Sequence, residues 1–245
     1  LPAIVERHFP FDASKLSVSQ RKLYTPQQIR NRVARYSDFA ASYPQLLPDN
    51  IRSAEFITRL SEEAPRFMSL VPAANEILGG KPEFIALCHW NANVDNGWFW
   101  HNAGGDLECG LMDWGNVSQM NVAMALWGCL SAAETDIWDN HLEELLLLFA
   151  LEFKNCGGAA LDIEELNLHI LLYAGTMGLA WLLDAPPLLL KLVPDLADVN
   201  SRFDPRIAEV EAARAQLQIM TVFLNLWETQ DLGKLLDWLH RHQKR

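Results

Sequence analysis

His89-Trp-Asn-Ala-Asn-Val-Asp-Asn96, Gly97-Trp-Phe-Trp100, Asn102-Ala-Gly-Gly-Asp106 and Leu107-Glu-Cys-Gly-Leu-Met-Asp-Trp-Gly115 are the segments that decide the fold. Just before them, Phe84-Ile-Ala-Leu-Cys88 is a short apolar run after Gly and Pro, which reads as a buried strand. The polar 89–96 segment reads as a loop. Residues 98–101 and 107–112 read as two strands joined across a Gly-rich turn of hairpin length. Asp113-Trp114-Gly115 closes the hairpin as an acidic turn. The order is therefore strand, polar loop, hairpin, acidic turn.

Helical pattern surrounds this small β region. Thr25-Pro26-Gln27-Gln28 carries a cap, a proline suited to the first helical position and a glutamine that completes a capping box, so a helix is predicted to about Tyr43. Further helices are expected over about 50–62 and 64–78, the latter closed by Gly79-Gly80. After the acidic turn, helices are expected over about 119–132, 135–156, 162–183, 186–194, 204–228 and 231–242, with Asp162 and Asp204 as starts. Residues 1–24 read as irregular. The expected class is α+β, mostly α-helical. Residues 1–82 form a helical segment leading into a core over 83–245, one domain overall.

Composition narrows the function classes. The chain has 245 residues, half of them hydrophobic, enough for a sizeable core. A net charge of −11 argues against nonspecific nucleic-acid binding and tolerates cationic small molecules. Cys88, Cys109, Cys129 and Cys156 show no Cys-x-x-Cys pair and no metal-ligand spacing, so reduced, mostly buried thiols and a cytoplasmic location are expected. The first residues, LPAIVERHFP, are too short and interrupted for a secretory signal. Leu166–Leu183 is the most apolar segment, but Asn167, His169 and Thr176 interrupt it, so a buried helix is expected and not a membrane span. His141 and His169 are isolated and read as structural or exposed, and Leu145–Phe149 as buried helix core. Most tryptophans read as core. Trp98 and Trp100 share one strand face, and Trp90 and Trp114 flank the polar loop.

Phosphoryl transfer from ATP needs magnesium held against phosphates, a hydroxyl aimed in line and a carboxylate near that hydroxyl. Kinase-type sites supply the carboxylate as His-x-Asp, with an Asn five residues after the Asp on a metal and a second Asp after the following hairpin. Here Asn91 to Asn96 is five residues, and Asp113 follows Asn96 by seventeen, room for the predicted hairpin. Amide and carboxylate oxygens suit magnesium.

In these motifs the chain resembles the aminoglycoside phosphotransferase and choline kinase-like superfamily, including its ecdysteroid-kinase-like branch. Those families carry His-Gly-Asp-x-x-x-x-Asn followed by Ile-Asp-Trp/Phe-Gly/Glu. The resemblance covers about residues 89–127 strongly and the remainder in pattern. It implies a protein-kinase-like C-terminal lobe with a small β-hairpin insertion. It also implies Mg2+ and ATP as cofactors, transfer of the γ-phosphate to a small-molecule hydroxyl, Asn96 and Asp113 as metal and cofactor ligands, and His89 as a brace of the loop. Asp136, Asp139, Glu143 and Glu144 fall where such families place the acceptor pocket, which would suit a cationic acceptor. A solvated helix face with acids near its N-terminus is the alternative reading.

Three departures matter. Trp90 replaces the usual small residue. Asn91 replaces the catalytic Asp, and a neutral amide cannot accept the hydroxyl proton. Asp95 is the nearest carboxylate, but it adjoins Asn96 and is expected to point away from it. No Gly-x-Gly-x-x-Gly and no Val-Ala-Ile-Lys-like strand occurs, so the nucleotide lobe either precedes Leu1 or is dispensed with. The alternatives to an active enzyme are a pseudokinase that binds or scaffolds, and an unrelated helical interaction protein.

Overall fold

The computed structural model describes Pro10, Asp12 and residues 23–242. The expected irregular opening and the expected lack of a secretory signal fall almost wholly outside those residues. Helices α1 (Pro26–Ser42), α2 (Asp49–Arg52) and α3 (Ala54–Gly80) come first. Strands β1 (Ile85–Cys88), β2 (Gly97–His101), β3 (Leu107–Leu111) and β4 (Ser118–Asn121) follow. Then come α4 (Val122–Leu130), α5 (Thr135–Asn140), α6 (Leu142–Asn155), α7 (Ile163–Ala180), α8 (Ala185–Leu192), α9 (Pro205–Ala208), α10 (Glu211–Thr229) and α11 (Leu232–His242). The molecule is mostly helical with a little antiparallel sheet, the α+β class expected.

These elements gather into two compact units, each discontinuous in sequence. Among the described residues, the first contains Pro10, Asp12, Asn75–Ser131 and Glu143–Tyr173, and the second contains 23–74, Ala132–Leu142 and 174–242. The expected passage into the lobe at residue 83 falls inside the first unit.

The second unit is helical. The capping box forms as expected: Thr25 Oγ1 accepts from Gln28 N–H, and Gln28 Oε1 accepts from Thr25 N–H at 2.9 Å. Arg32, nearly buried, donates to the carbonyls of Leu179 and Ala180 at the end of α7 and pairs with Asp184 at 2.8 Å. A guanidinium there satisfies orphan carbonyls and opposes the negative end of the helix. Phe67 lies tilted and Phe223 edge-on against Trp227, whose indole N–H donates to Glu63 at 2.8 Å. Burial pushes the Glu63 carboxyl up, against the hydrogen bond from Trp227.

Several sequence expectations need correction. The two helices expected over 50–62 and 64–78 are a short turn of helix and one long helix, α3, which runs through Pro65 and Pro72. Each proline removes one backbone hydrogen bond, and the row of buried residues Leu60, Ala64, Phe67, Val71, Ala74 and Leu78 offsets it. The helix expected over 135–156 breaks at His141, and that over 204–228 breaks at Val210, whose backbone is extended. Residues 118–121 form β4 where a helix start was expected. Three of the four cysteines are exposed, Cys88 being buried. Leu147, Leu148 and Leu151 of α6 are exposed too, so that helix buries one stripe (Leu142, Leu146, Ala150) and not its whole leucine run. Ile163–Leu192 is long and apolar enough by composition to cross a membrane, but 72% of its most apolar window is buried within the protein, as in a core helix.

In the first unit, β1 pairs antiparallel with β4, from Ile85 opposite Asn121 to Cys88 opposite Ser118. Asn121 is fully buried. Its amide donates to Leu78 O at 2.9 Å and meets His169 Nδ1 at 3.0 Å, and its Oδ1 caps α4 at Ala123 N–H. A side-chain amide that also donates to a carbonyl is a donor to the ring, so Nδ1 accepts and Nε2 carries the proton. His169 is fully buried beside Phe84, and its Nε2 has no hydrogen-bond partner. Glu165 lies 3.9 Å from it, too far for one, and is itself paired with Lys81.

Burial pushes the His169 imidazole down to about 4, opposed by Glu165 and Glu83 and assisted by Lys81. A neutral buried histidine that must charge when unfolded contributes stability that is fully present above about pH 6.5 and is lost as pH falls towards 4. The loss is expected to reach at most about 3 kcal/mol. Urea midpoints measured from pH 7 to pH 4 should fall more steeply in the native protein than in His169→Gln, whose amide oxygen can still accept from Asn121. Equal slopes would remove His169 as the source.

Candidate functional site

The loop after β1 is held by its own side chains. His89, nearly buried, has Nε2 at 2.8 Å from Met112 O, and its Nδ1 accepts from Asn91 N–H at 3.2 Å. A carbonyl only accepts and an amide N–H only donates, so His89 is the Nε2–H tautomer. It fastens the start of the loop to the residue before Asp113. Trp114 stacks edge-on against the His89 ring at 4.9 Å between centroids, and its indole N–H donates to Leu111 O.

Asn96 closes the other end. Its Nδ2 donates to Asn91 O at 2.8 Å, which turns Oδ1 away as a free acceptor position. Its backbone carbonyl accepts from Met112 N–H at 3.0 Å, extending the hairpin one residue past the Gly97–Leu111 pair. Asn96 thus faces Met112 across the hairpin base, one residue from Asp113. Asp113 is exposed and left-handed, with φ 58° and ψ 56°. That conformation is uncommon for a residue with a Cβ, and Asp and Asn tolerate it best.

His89, Asn91, Asn96 and the Asp113 turn therefore belong to one hydrogen-bonded assembly. Asp95 sits on the 3₁₀ turn Val94–Asn96, exposed, its N–H donating to Asn93 Oδ1. Asn91 Oδ1 accepts from Asn93 Nδ2 at 2.9 Å. The Asn91 side-chain oxygen thereby accepts one hydrogen bond. No three His, Cys, Asp or Glu side chains converge on a common point among the described residues. Asn96 and Asp113 could supply two oxygens to magnesium, which takes its remaining ligands from water and phosphate. Asp139 accepts from Asn225 and Thr229, 86 and 90 residues further along the chain, and Asp136 accepts from Asn140 within α5. Glu143 and Glu144 lie in the first turn of α6, where acids favour the helix dipole.

Three residues that position the loop carried little sequence signal. Tyr173 accepts from the Trp90 indole N–H at 3.1 Å, which gives the bulky Trp90 a fixed seat. Asn121 anchors β4 as described. Gly128 lies in the interior of α4 and touches the loop backbone: a Cβ there would fall 1.7 Å from Trp90 O. A glycine inside a helix costs about 1 kcal/mol relative to alanine and often marks close backbone approach; that was the available clue.

Gly128→Ala should therefore destabilise the protein although alanine is the better helix former. The clash is with backbone, so relief requires the loop or α4 to shift, and a loss of roughly 2 kcal/mol or more is expected in denaturant titration. A neutral or stabilising effect would mean that α4 does not rest on the loop. Comparison of the chain with family models, with curated proteins and with solved structures finds no match in any of the three.

Proposed function

We propose that the chain is a cytoplasmic, kinase-like lobe of the aminoglycoside phosphotransferase kind. In this reading Asn96 and Asp113 would hold magnesium against the phosphates of ATP, and the γ-phosphoryl group would pass to a small-molecule hydroxyl, ADP leaving and the hydroxyl proton going to solvent. The observation that carries it is the pair of bonds at Asn96: Nδ2 to Asn91 O, and the backbone carbonyl to Met112 N–H. Together they join the polar loop and the hairpin base, and they bring Asn96 opposite Met112, the residue before Asp113.

Magnesium, when bound, supplies charge to the phosphate oxygens. The chain's own residues do the positioning. His89 sets the distance between loop and acidic turn. Asn96 fixes the backbone carbonyl of Asn91, and so the place from which residue 91 reaches the acceptor. Asn91 itself is an amide and cannot take the hydroxyl proton. Loose transition states depend mainly on positioning and charge, so transfer is slow and not abolished by this alone.

A second reading, binding without turnover, is favoured by the Asn93 to Asn91 hydrogen bond, which occupies the only acceptor atom at the base position.

Two measurements separate these readings and test both. Calorimetry with Mg-ATP should show weak heat in the native protein, absent without nucleotide and abolished by Asp113→Ala. Equal heats in both proteins would remove Asp113 from any site. Asn91→Asp should raise ATP consumption in the presence of hydroxyl-bearing acceptors by up to about 10²–10⁴-fold, the usual contribution of a general base. A native rate that Asn91→Asp leaves unchanged would assign the base to another group, Asp95 first. Nucleotide binding with no turnover in either form selects the second reading.

A further inference from the structure

The hairpin β2–β3 is the least covered element of the first unit. Among the described residues it forms a two-stranded sheet with no third strand on either side. In the antiparallel register Trp98 faces Gly110 and Trp100 faces Glu108, so both tryptophans and Glu108 share one surface. Trp98 is 66% exposed and Trp100 41%. Their rings meet edge to face at 6.2 Å, and Trp100 leans over Gly110, where the missing side chain leaves room for it. An isolated hairpin with exposed aromatic surface is marginal in water, and such patches mark contact sites.

Charge says what kind of molecule suits this surface. The sequence contains no Lys or Arg from Pro82 to Phe153, while Asp95, Asp106, Glu108 and Asp113 surround the hairpin. Asp106 and Glu108 are exposed and accept only from the neutral Asn102 amide. Nucleic acid is repelled by such a face. A second copy of this chain, itself at −11, would bring the same carboxylates against it. A cation over a tryptophan face beside a free carboxylate is attracted by both. A guanidinium suits the pair better than an ammonium, because it stacks flat on the ring and bonds a carboxylate through two N–H groups.

From this juxtaposition we propose that the Trp98–Trp100–Glu108 face of the hairpin is a docking surface for an arginine-bearing extended segment of another protein. Arginine stacks on Trp98 and Trp100 and pairs with Glu108, and alternate apolar residues of the segment cover the ring edges. This inference does not depend on nucleotide binding or on phosphoryl transfer.

The test uses the whole chain and fluorescein-labelled peptides of alternating Arg and Val, with Lys/Val and Glu/Val peptides of equal length as comparisons. Fluorescence anisotropy should show the Arg peptide binding most tightly, the Lys peptide several-fold more weakly, and the Glu peptide not at all. Trp98→Ala and Glu108→Arg should each weaken the Arg peptide about tenfold, within the range of a desolvated cation–π contact or a charge-assisted pair. Glu108→Arg should also acquire affinity for the Glu peptide, a gain that only a folded variant can show. Three results would overturn the proposal. One is equal binding of Arg and Glu peptides. Another is an Arg-peptide affinity unchanged in both variants. The third is self-association in sedimentation velocity that Trp98→Ala abolishes, which would give the face to a second copy.

Discussion

Asn121 is fully buried, and its side-chain amide and carbonyl both have protein partners. It joins the end of α3 through Leu78 O, the start of α4 through Ala123 N–H, and α7 through His169, from its own place at the end of β4. A buried amide of this kind is costly unless satisfied. Once satisfied, it ties its neighbours to one arrangement, since Leu78 O can only accept and Ala123 N–H only donate. β4 is short and poor in strand-forming residues, and its pairing with β1 depends on being delivered in register. The polar loop begins directly after β1, so its position is inherited from this knot. Asp would not substitute quietly at position 121, since a carboxylate cannot donate to Leu78 O and would accept where His169 Nδ1 already accepts.

The loop itself runs on neutral groups. Asn91, Asn93 and Asn96 bond to one another and to the backbone, and His89 contributes one donor and one acceptor. Amides can do both jobs at once, so these bonds join the two ends of the loop to each other. A carboxylate at position 91 would keep the bond from Asn93 and add charge with oxygen to spare. Geometry and chemical competence separate here: what positions residue 91 is its backbone carbonyl, held by Asn96, and what it can do there is decided by its side chain alone.

Sequence pattern made much of this visible and left the rest hidden for definite reasons. The capping box at Thr25–Gln28 and the Asp162 cap, whose Oδ1 accepts from Glu165 N–H, are local signals read within four residues. The hairpin was legible from its Gly-rich turn. β4 was not, because Ser118-Gln-Met-Asn121 has weak strand preference and is made a strand by β1, more than thirty residues earlier. The length of α3 was hidden by two prolines whose cost is offset by burial that only the folded chain shows. The seat of Trp90 was hidden because its partner Tyr173 lies 83 residues away in the sequence. The hairpin register sets Asn96 opposite Met112, one residue from Asp113, across the turn whose length the sequence spacing allowed for.

Rigidity and exposure meet at that base. The loop side is fixed by buried or half-buried bonds, whereas the hairpin beyond Asn96 and Met112 has only its own ladder and the rings on its surface. Asp113, in a conformation that costs energy, joins the two regimes. Any restraint applied to the hairpin reaches Asp113 through Leu111 and Met112 with no flexible segment between, since Leu111 pairs with Gly97 and Met112 is held on both sides, by Asn96 through its N–H and by His89 through its carbonyl. The same path explains why the turn can be exposed and still have a defined backbone: its neighbours on the chain are bonded to a loop that is itself seated, through Trp90, on Tyr173 and against Gly128.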